Sequence, residues 1–181
     1  MPNEALSAFL DTQRIVSSLG VVLGQHIADF GCGSGFFTVA FARAVGPTGR
    51  VTALDVMQEP LDAVAARAES EGLVNIVPVR ANLEVPGNTK LADQSQDLVL
   101  LANVLFQSSQ REAILQEAVR VLRPGGRIVV IDWRQGADQV GPPDHMRVSM
   151  AKVSSTLEGL GVAMDRELDV GASYEAHIFT R

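Results

Sequence analysis

Among the 181 residues there is one cysteine, Cys32, so no internal disulfide can form, and four-cysteine zinc or iron–sulfur sites are excluded. Aromatic residues make up only 5%, with a single Trp and a single Tyr, too few for a platform that stacks single-stranded nucleic acid. Basic residues are outnumbered: 15 Lys and Arg stand against 21 Asp and Glu, for a net charge of −6. Nucleic-acid binders carry the opposite bias because phosphate contacts dominate their affinity, which leaves only a local basic patch as a route to such a partner. No apolar run reaches the ~20 residues that a membrane-spanning helix needs. The opening residues place Glu4 early and put no apolar stretch behind a basic start, so no secretory leader is read, and the expected location is cytoplasmic.

What is present is ordinary for a globular protein, with 46% hydrophobic and 20% charged residues. At ~150 residues per domain the length predicts one domain, residues 1–181, with an N-terminal helical segment over 1–24 and a core over 25–181. Gly and Pro punctuate the chain at short intervals, and apolar runs alternate with helical patterns between them. That alternation predicts repeated βα units and a parallel sheet.

Leu6, Phe9 and Leu10, then Ile15, Val16 and Leu19, have the spacing of one or two amphipathic helices ending at Gly20. Strands are predicted at 26–30, 50–55, 75–79, 97–102 and 127–132, with two more near 163–168 and 174–180. Helices are predicted at 36–45, 60–70, 109–122 and 147–160. The run Leu98 to Leu101 is apolar on both faces, as a central parallel strand requires. Pro124-Gly125-Gly126 should stop the helix before the fifth strand, and 133–144 reads as a loop.

Gly31-x-Gly33-x-Gly35 follows a strand and opens a helix, the setting in which glycines let a ligand approach the backbone. A dinucleotide fingerprint would need a third glycine where Phe36 stands, and a phosphate loop would need a Lys that is missing, so NAD and nucleotide triphosphates are not expected. Asp29 lies two residues before the first glycine, where an acid suits a ligand amino group rather than a pyrophosphate. Asp55 ends the second strand, twenty residues past Gly35. There it either caps the next helix or accepts hydrogen bonds from both hydroxyls of a ribose.

These residues, with Asn82, the Asp97–Leu100 strand and Leu122-Arg123-Pro124-Gly125-Gly126, resemble class I S-adenosylmethionine-dependent methyltransferases. The spacing is similar to the quinone-biosynthesis C-methyltransferases and the bacterial small-molecule methyltransferases around them, over nearly all of the chain after about Gln25. The resemblance implies a three-layer α/β/α sandwich with a Rossmann-like, seven-stranded, mostly parallel sheet and an antiparallel last strand. It implies S-adenosylmethionine as cofactor, with Asp29 near its ammonium and Gly31, Cys32, Gly33 and Gly35 against its methionine part. Asp55 and the adjoining Val56 would take the ribose. Met57 would lie against adenine or serve as core filler. Asn82, standing where the family often has an acid, and the Leu83 backbone would meet the adenine, unless Asn82 is simply a turn residue. Asn103, at the end of the fourth strand, would floor the site near the sulfonium or cap a helix. No Asn/Asp-Pro-Pro-aromatic sequence follows that strand, which separates the chain from enzymes that methylate exocyclic amines of bases.

Methyl transfer needs alignment of donor and acceptor more than side-chain chemistry, and no catalytic signature or metal-ligand set is present. His145 and Arg147 could serve as base or as ligand for an anionic acceptor, or could start a solvated helix. His26 and His177 are expected to be structural, and Cys32 to be a small buried residue. The segments around Phe9–Leu10 and 133–147 have no evident core role, so both are expected to cover the acceptor side. The expected function is methyl transfer to a small molecule. The alternatives are transfer to RNA or protein, and binding of the cofactor without transfer.

Overall fold

The computed structural model describes residues 10–137 and 140–181. The N-terminal pattern is therefore seen only from Leu10 onward, and its part over 1–9 lies outside the described residues. Five helices and seven strands follow: α1 (Thr12–Ser18), β1 (His26–Phe30), α2 (Phe36–Val45), β2 (Arg50–Asp55), α3 (Gln58–Ser70), β3 (Ile76–Arg80), β4 (Gln96–Ala102), α4 (Arg111–Val121), β5 (Leu122–Trp133), α5 (Met150–Gly159), β6 (Ala163–Leu168) and β7 (Tyr174–Thr180). Single 3-10 turns stand at Leu105–Gln107 and Asp144–Met146.

The sheet order is β3-β2-β1-β4-β5-β7-β6. Strands β1 to β5 pair in parallel, and β7 runs antiparallel to both β5 and β6. Along each buried strand, side chains alternate between two apolar layers. Ile27, Leu98, Leu100 and Val129 face α1 and α2, while Ala28, Val99, Val130 and Phe179 face α4 and α5. Leu61 and Val64 of α3 pack on Ala53 beside the first of these layers. The architecture is the three-layer sandwich that the resemblance implies.

Two sequence readings change. The fifth strand begins at Leu122 rather than Arg127, because Leu122 already pairs with Gln96. Pro124-Gly125-Gly126 forms an irregularity within the strand before Arg127 joins Leu98. The N-terminal segment does have a core role: Leu10, Ile15, Val16 and Leu19 are buried in one cluster with Phe37, Phe41, Trp133 and Tyr174. Its amphipathic face was legible, but what it packs on depended on the tertiary fold. Asp11 caps α1 by accepting the Arg14 N–H at 2.9 Å.

Candidate functional site

The carboxyl ends of β1, β2, β4 and β5 share one edge of the sheet, and strand order reverses between β1 and β4. Such a switch point opens a crevice where ligands bind in α/β sheets. Gly31, Gly33 and Gly35 fill the turn at that point, all with left-handed φ of 75°, 49° and 77°. The Gly31 and Cys32 N–H groups both donate to the Leu54 carbonyl, at 2.8 and 2.9 Å, folding the turn over the end of β2. A Cβ on Gly31 would stand 2.6 Å from Val104 Cγ2, so the turn also lies against the segment leaving β4. Gly35 occupies the N-cap of α2 without a side-chain cap, leaving the first amides of that helix for a ligand anion.

Asp29 is buried beneath this turn, with the Thr38 hydroxyl donating to its Oδ2 at 2.5 Å. Burial raises its pKa to about 6; the Thr38 bond acts against this rise and the nearby Asp55 charge adds to it. Asp55 is half-buried. Its Oδ2 accepts the Gly33 N–H at 3.2 Å and its Oδ1 accepts the Met57 N–H at 3.0 Å, so it joins the glycine turn to the entry of α3. The helix-cap alternative is not the arrangement found, since Met57 holds the N-cap position. Among the described residues neither Asp29 nor Asp55 forms an ion pair, so the pocket is acidic and uncompensated. Burial, followed by the Asp29 and Asp55 charges, pushes the Cys32 thiol upward, which keeps it a neutral apolar lining residue.

Val56 and Met57 are more than half exposed beside Asp55, an apolar rim that no core claims. Asn82 Oδ1 accepts the Glu84 N–H at 3.0 Å and the Asn82 N–H reaches Asn88 Oδ1 at 2.7 Å, while Leu83 is buried next to it. The structure thus brings Asp29, the three glycines, Cys32, Asp55 and Val56 together, with Asn82 and Leu83 on the loop after the neighbouring β3.

At the end of β4, Asn103 is one of three residues other than glycine with left-handed φ among the described residues, here 55°, and it is 3% exposed. Its N–H donates to the Ile131 carbonyl at 2.8 Å. Neither atom of its carboxamide has a hydrogen-bond partner. Asp132, fully buried at the end of β5, accepts the Trp133 N–H at 2.8 Å and the Phe106 N–H at 3.3 Å. Burial raises its pKa to about 6, against the pull of those amides and of the Arg111 charge.

The remaining sequence candidates lie elsewhere. The guanidinium of Arg147 turns inward, donating to the carbonyls of Arg134 at 2.6 Å, Val140 at 2.8 Å and Pro142 at 3.0 Å. It organises the loop after β5 and is buried, so it does not start a solvated helix; that helix begins at Met150. His145 is exposed in the one-turn helix. His177 is buried in β7 with Nε2 3.0 Å from Glu175, and His26 is exposed at the start of β1. Sequence reasoning missed Thr38, Asp132 and Tyr174. For Tyr174 a signal existed: an antiparallel last strand begins at the edge where the parallel strands end, and Tyr174 pairs with Trp133.

The strand order, the glycine turn and the two acids around it define the class: a nucleoside-cofactor protein with the class I methyltransferase fold. Residues 28–130 match the family model described as "Methyltransferase domain", which covers more than half of the sequence. The chain belongs to the methyltransferase domain family, whose cofactor is S-adenosylmethionine. It is 31% identical over 140 residues to the ubiquinone/menaquinone biosynthesis C-methyltransferase UbiE of Pseudoalteromonas translucida (strain TAC 125), covering 77% of this chain and 52% of that protein. It is 33% identical over 123 residues to the demethylmenaquinone methyltransferase of Staphylococcus aureus (strain JH9), covering 68% and 49% respectively. The chain thus spans about half the length of the curated relatives it matches. A SAM dependent methyltransferase from Aquifex aeolicus has the same fold, with a TM-score of 0.86 over 99% of this chain and 94% of that one, at 24% identity. The [4+2]-cyclase SpnF also shares the fold, at a TM-score of 0.76 and 17% identity over 93% of this chain and 81% of that one. Fold alone therefore does not assign the chemistry.

Proposed function

We propose that this chain transfers the methyl group of S-adenosylmethionine to a small-molecule acceptor. The observation that carries the reading is Asp29, a buried carboxylate at the switch point of the sheet that forms no ion pair among the described residues. An uncompensated buried carboxylate is costly and suits a site built for a cationic ligand. The donor set fits the cofactor: Asp29 takes the ammonium, the open N-terminus of α2 suits the carboxylate, and the remaining lone pairs of Asp55 accept the ribose hydroxyls. Val56 and the Asn82–Leu83 loop border the adenine in this reading, and Asn103 stands at the transfer end.

The cofactor supplies an electrophilic methyl group when bound. The protein's part is to hold the acceptor in line and keep water away. Arg147 is assigned to loop architecture in this reading. His145, exposed in the loop after β5, is the candidate base in this reading. The relatives' names, both for quinone-pathway enzymes, support a small acceptor, but at half their length the chain does not take its acceptor from them. A cytoplasmic setting and one domain over 1–181 belong to the same reading, supported by a lone buried thiol that needs no oxidising compartment.

Calorimetry with S-adenosylhomocysteine and NAD tests the cofactor, and a metabolite screen that reads S-adenosylhomocysteine release tests transfer. Binding of NAD in preference to S-adenosylhomocysteine overturns the first part. Binding without turnover on any metabolite favours the non-catalytic alternative, and turnover on RNA or protein alone favours the macromolecular one.

A further inference from the structure

Helices α1, α2 and α3 line a cavity of about 120 Å³ that the cofactor reading does not use. α1 contributes Thr12 and Gln13, α2 contributes Phe36 and Arg43, and α3 contributes Arg67 together with its C-terminal cap, Glu71. Arg43 is engaged, since its guanidinium pairs with Glu71 at 2.5 Å. Arg67 is not. It lies over the Phe36 ring, 4.4 Å from the centroid, and among the described residues its side chain forms no hydrogen bond or ion pair. A guanidinium is planar and carries its N–H donors around its edge. Stacking occupies the face, so the donors of the half-buried Arg67 stay open. The Thr12 hydroxyl and the Gln13 carboxamide at the same cavity also have no side-chain partner among the described residues. Two arginines against one glutamate leave the cavity positive, in a chain whose net charge is −6.

We propose that this cavity is an anion subsite, in which Arg67 receives the carboxylate or phosphate group of a small molecule and Thr12 and Gln13 add hydrogen bonds. The edge of a guanidinium matches two oxygens of such a group with two parallel N–H bonds. Stacking on Phe36 fixes the guanidinium plane before the ligand arrives, so less freedom is lost on binding. Glu71 does not repel the anion as a bare charge would, because Arg43 already neutralises it. The volume admits the acid group and a few further atoms, well short of the several hundred Å³ that a larger ligand fills. Phe36 also lines the cleft beneath the glycine turn, so the subsite shares a wall with the cofactor site. An acid group on the methyl acceptor and a free anionic metabolite have this chemistry in common, and only the first rests on the methyl-transfer reading above.

The test is an NMR titration of the whole chain with inorganic phosphate and with malonate, read at the arginine Nε–H resonances and at the Thr12 and Gln13 amides. With at least one probe, Arg67 and both amides should shift and saturate together. Arg67→Gln should weaken the saturating response of the amides about tenfold or more, the scale of a lost hydrogen bond to a charged group. Gln13→Glu should weaken it as well with Arg67 intact, because the new carboxylate takes the guanidinium, and this variant decides the matter if Arg67→Gln does not fold. A drift without saturation, common to every arginine, is ionic strength acting in bulk and overturns the subsite. Saturation that both variants leave unchanged overturns it too. Turnover then separates the sources. Arg67→Gln raises KM for acid-bearing acceptors alone if the acceptor supplies the group, and leaves KM unchanged for every acceptor if a free metabolite does. Should no acceptor be methylated, the phosphate and malonate titrations still decide the subsite, so its failure stays distinct from failure of the methyl-transfer reading.

Discussion

The Thr38 hydroxyl reaches across from the first turn of α2 to the Asp29 carboxylate at 2.5 Å, and together with the Thr38 backbone it opposes the rise that burial imposes on the acid. Burial raises the Asp29 pKa to about 6 against that bond, and a cationic ligand favours its ionised form. S-adenosylhomocysteine affinity is expected to be flat above about pH 7 and to fall as the pH drops through 6. Calorimetry between pH 5 and 8 reads the slope directly. Thr38→Val should move the break upward, and Asp29→Asn should abolish it along with most of the affinity.

Ligand-free stability should depend on pH through three buried or bonded carboxyls. Asp29 and Asp132 have folded pKa values raised to about 6, so the stability each contributes is full below its ordinary value of 3.8 and is lost as the pH rises through 6. Glu117 works the other way. The Arg120 guanidinium, the Thr89 hydroxyl and the Gly87 N–H hold it down to about 2, so its contribution is present above 4.5 and disappears as the pH falls through 2. The melting temperature of the ligand-free chain should therefore peak near pH 4 and decline toward pH 6. S-adenosylhomocysteine should reduce the decline. A curve rising steadily from pH 4 to 7 contradicts this account.

In the proposed reading Asp55 serves the ligand as well as the fold, where it already holds the Gly33 and Met57 amides. Asp55→Ala is expected to weaken cofactor binding by roughly 1.5–3 kcal/mol, the scale of hydrogen bonds to a charged group. It should also lower the melting temperature of the ligand-free protein, because the Gly33 and Met57 amides lose their acceptor. Paired calorimetry and thermal melts separate the two effects. Loss of stability with unchanged affinity would reduce Asp55 to a joint between turn and helix.

Gly141 packs its backbone directly on Trp133: a Cβ there would lie 2.6 Å from the ring, and its φ of 92° belongs to glycine. Gly141→Ala should cost at least the ~1–2 kcal/mol of a left-handed backbone. It should also shift the emission of Trp133, the only tryptophan, as the loop carrying Arg147 lifts from the ring. An unshifted spectrum would show the loop rearranging elsewhere.

The site divides by how local its causes are. The glycine turn, Asp29 and Asp55 were legible because each is fixed by its place at the end of a strand whose apolar run declares it. Thr38 was not, since a threonine in a helix bonds whatever the opposite strand presents. The inward turn of Arg147 was not legible either, because its partners are backbone carbonyls of an irregular loop, and any sequence supplies those. The pairing of Tyr174 with Trp133 lies 41 positions apart in the chain and follows only from the direction of β7. The extension of β5 back to Leu122 was hidden by a Pro-Gly-Gly that normally marks a break.

The placement of β7 between β5 and β6 also sets an order of assembly. Among the described residues β6 has no other partner in the sheet, so during synthesis it emerges with both edges bare and must wait until β7 follows and inserts. The same event delivers Tyr174 to Trp133. The glycine turn and both of its acids emerge long before β6, whereas Tyr174 comes only with β7. A nascent chain halted before Tyr174 would carry the glycine turn and its two acids in place, yet it would expose one unpaired strand to chaperones or to another copy of itself.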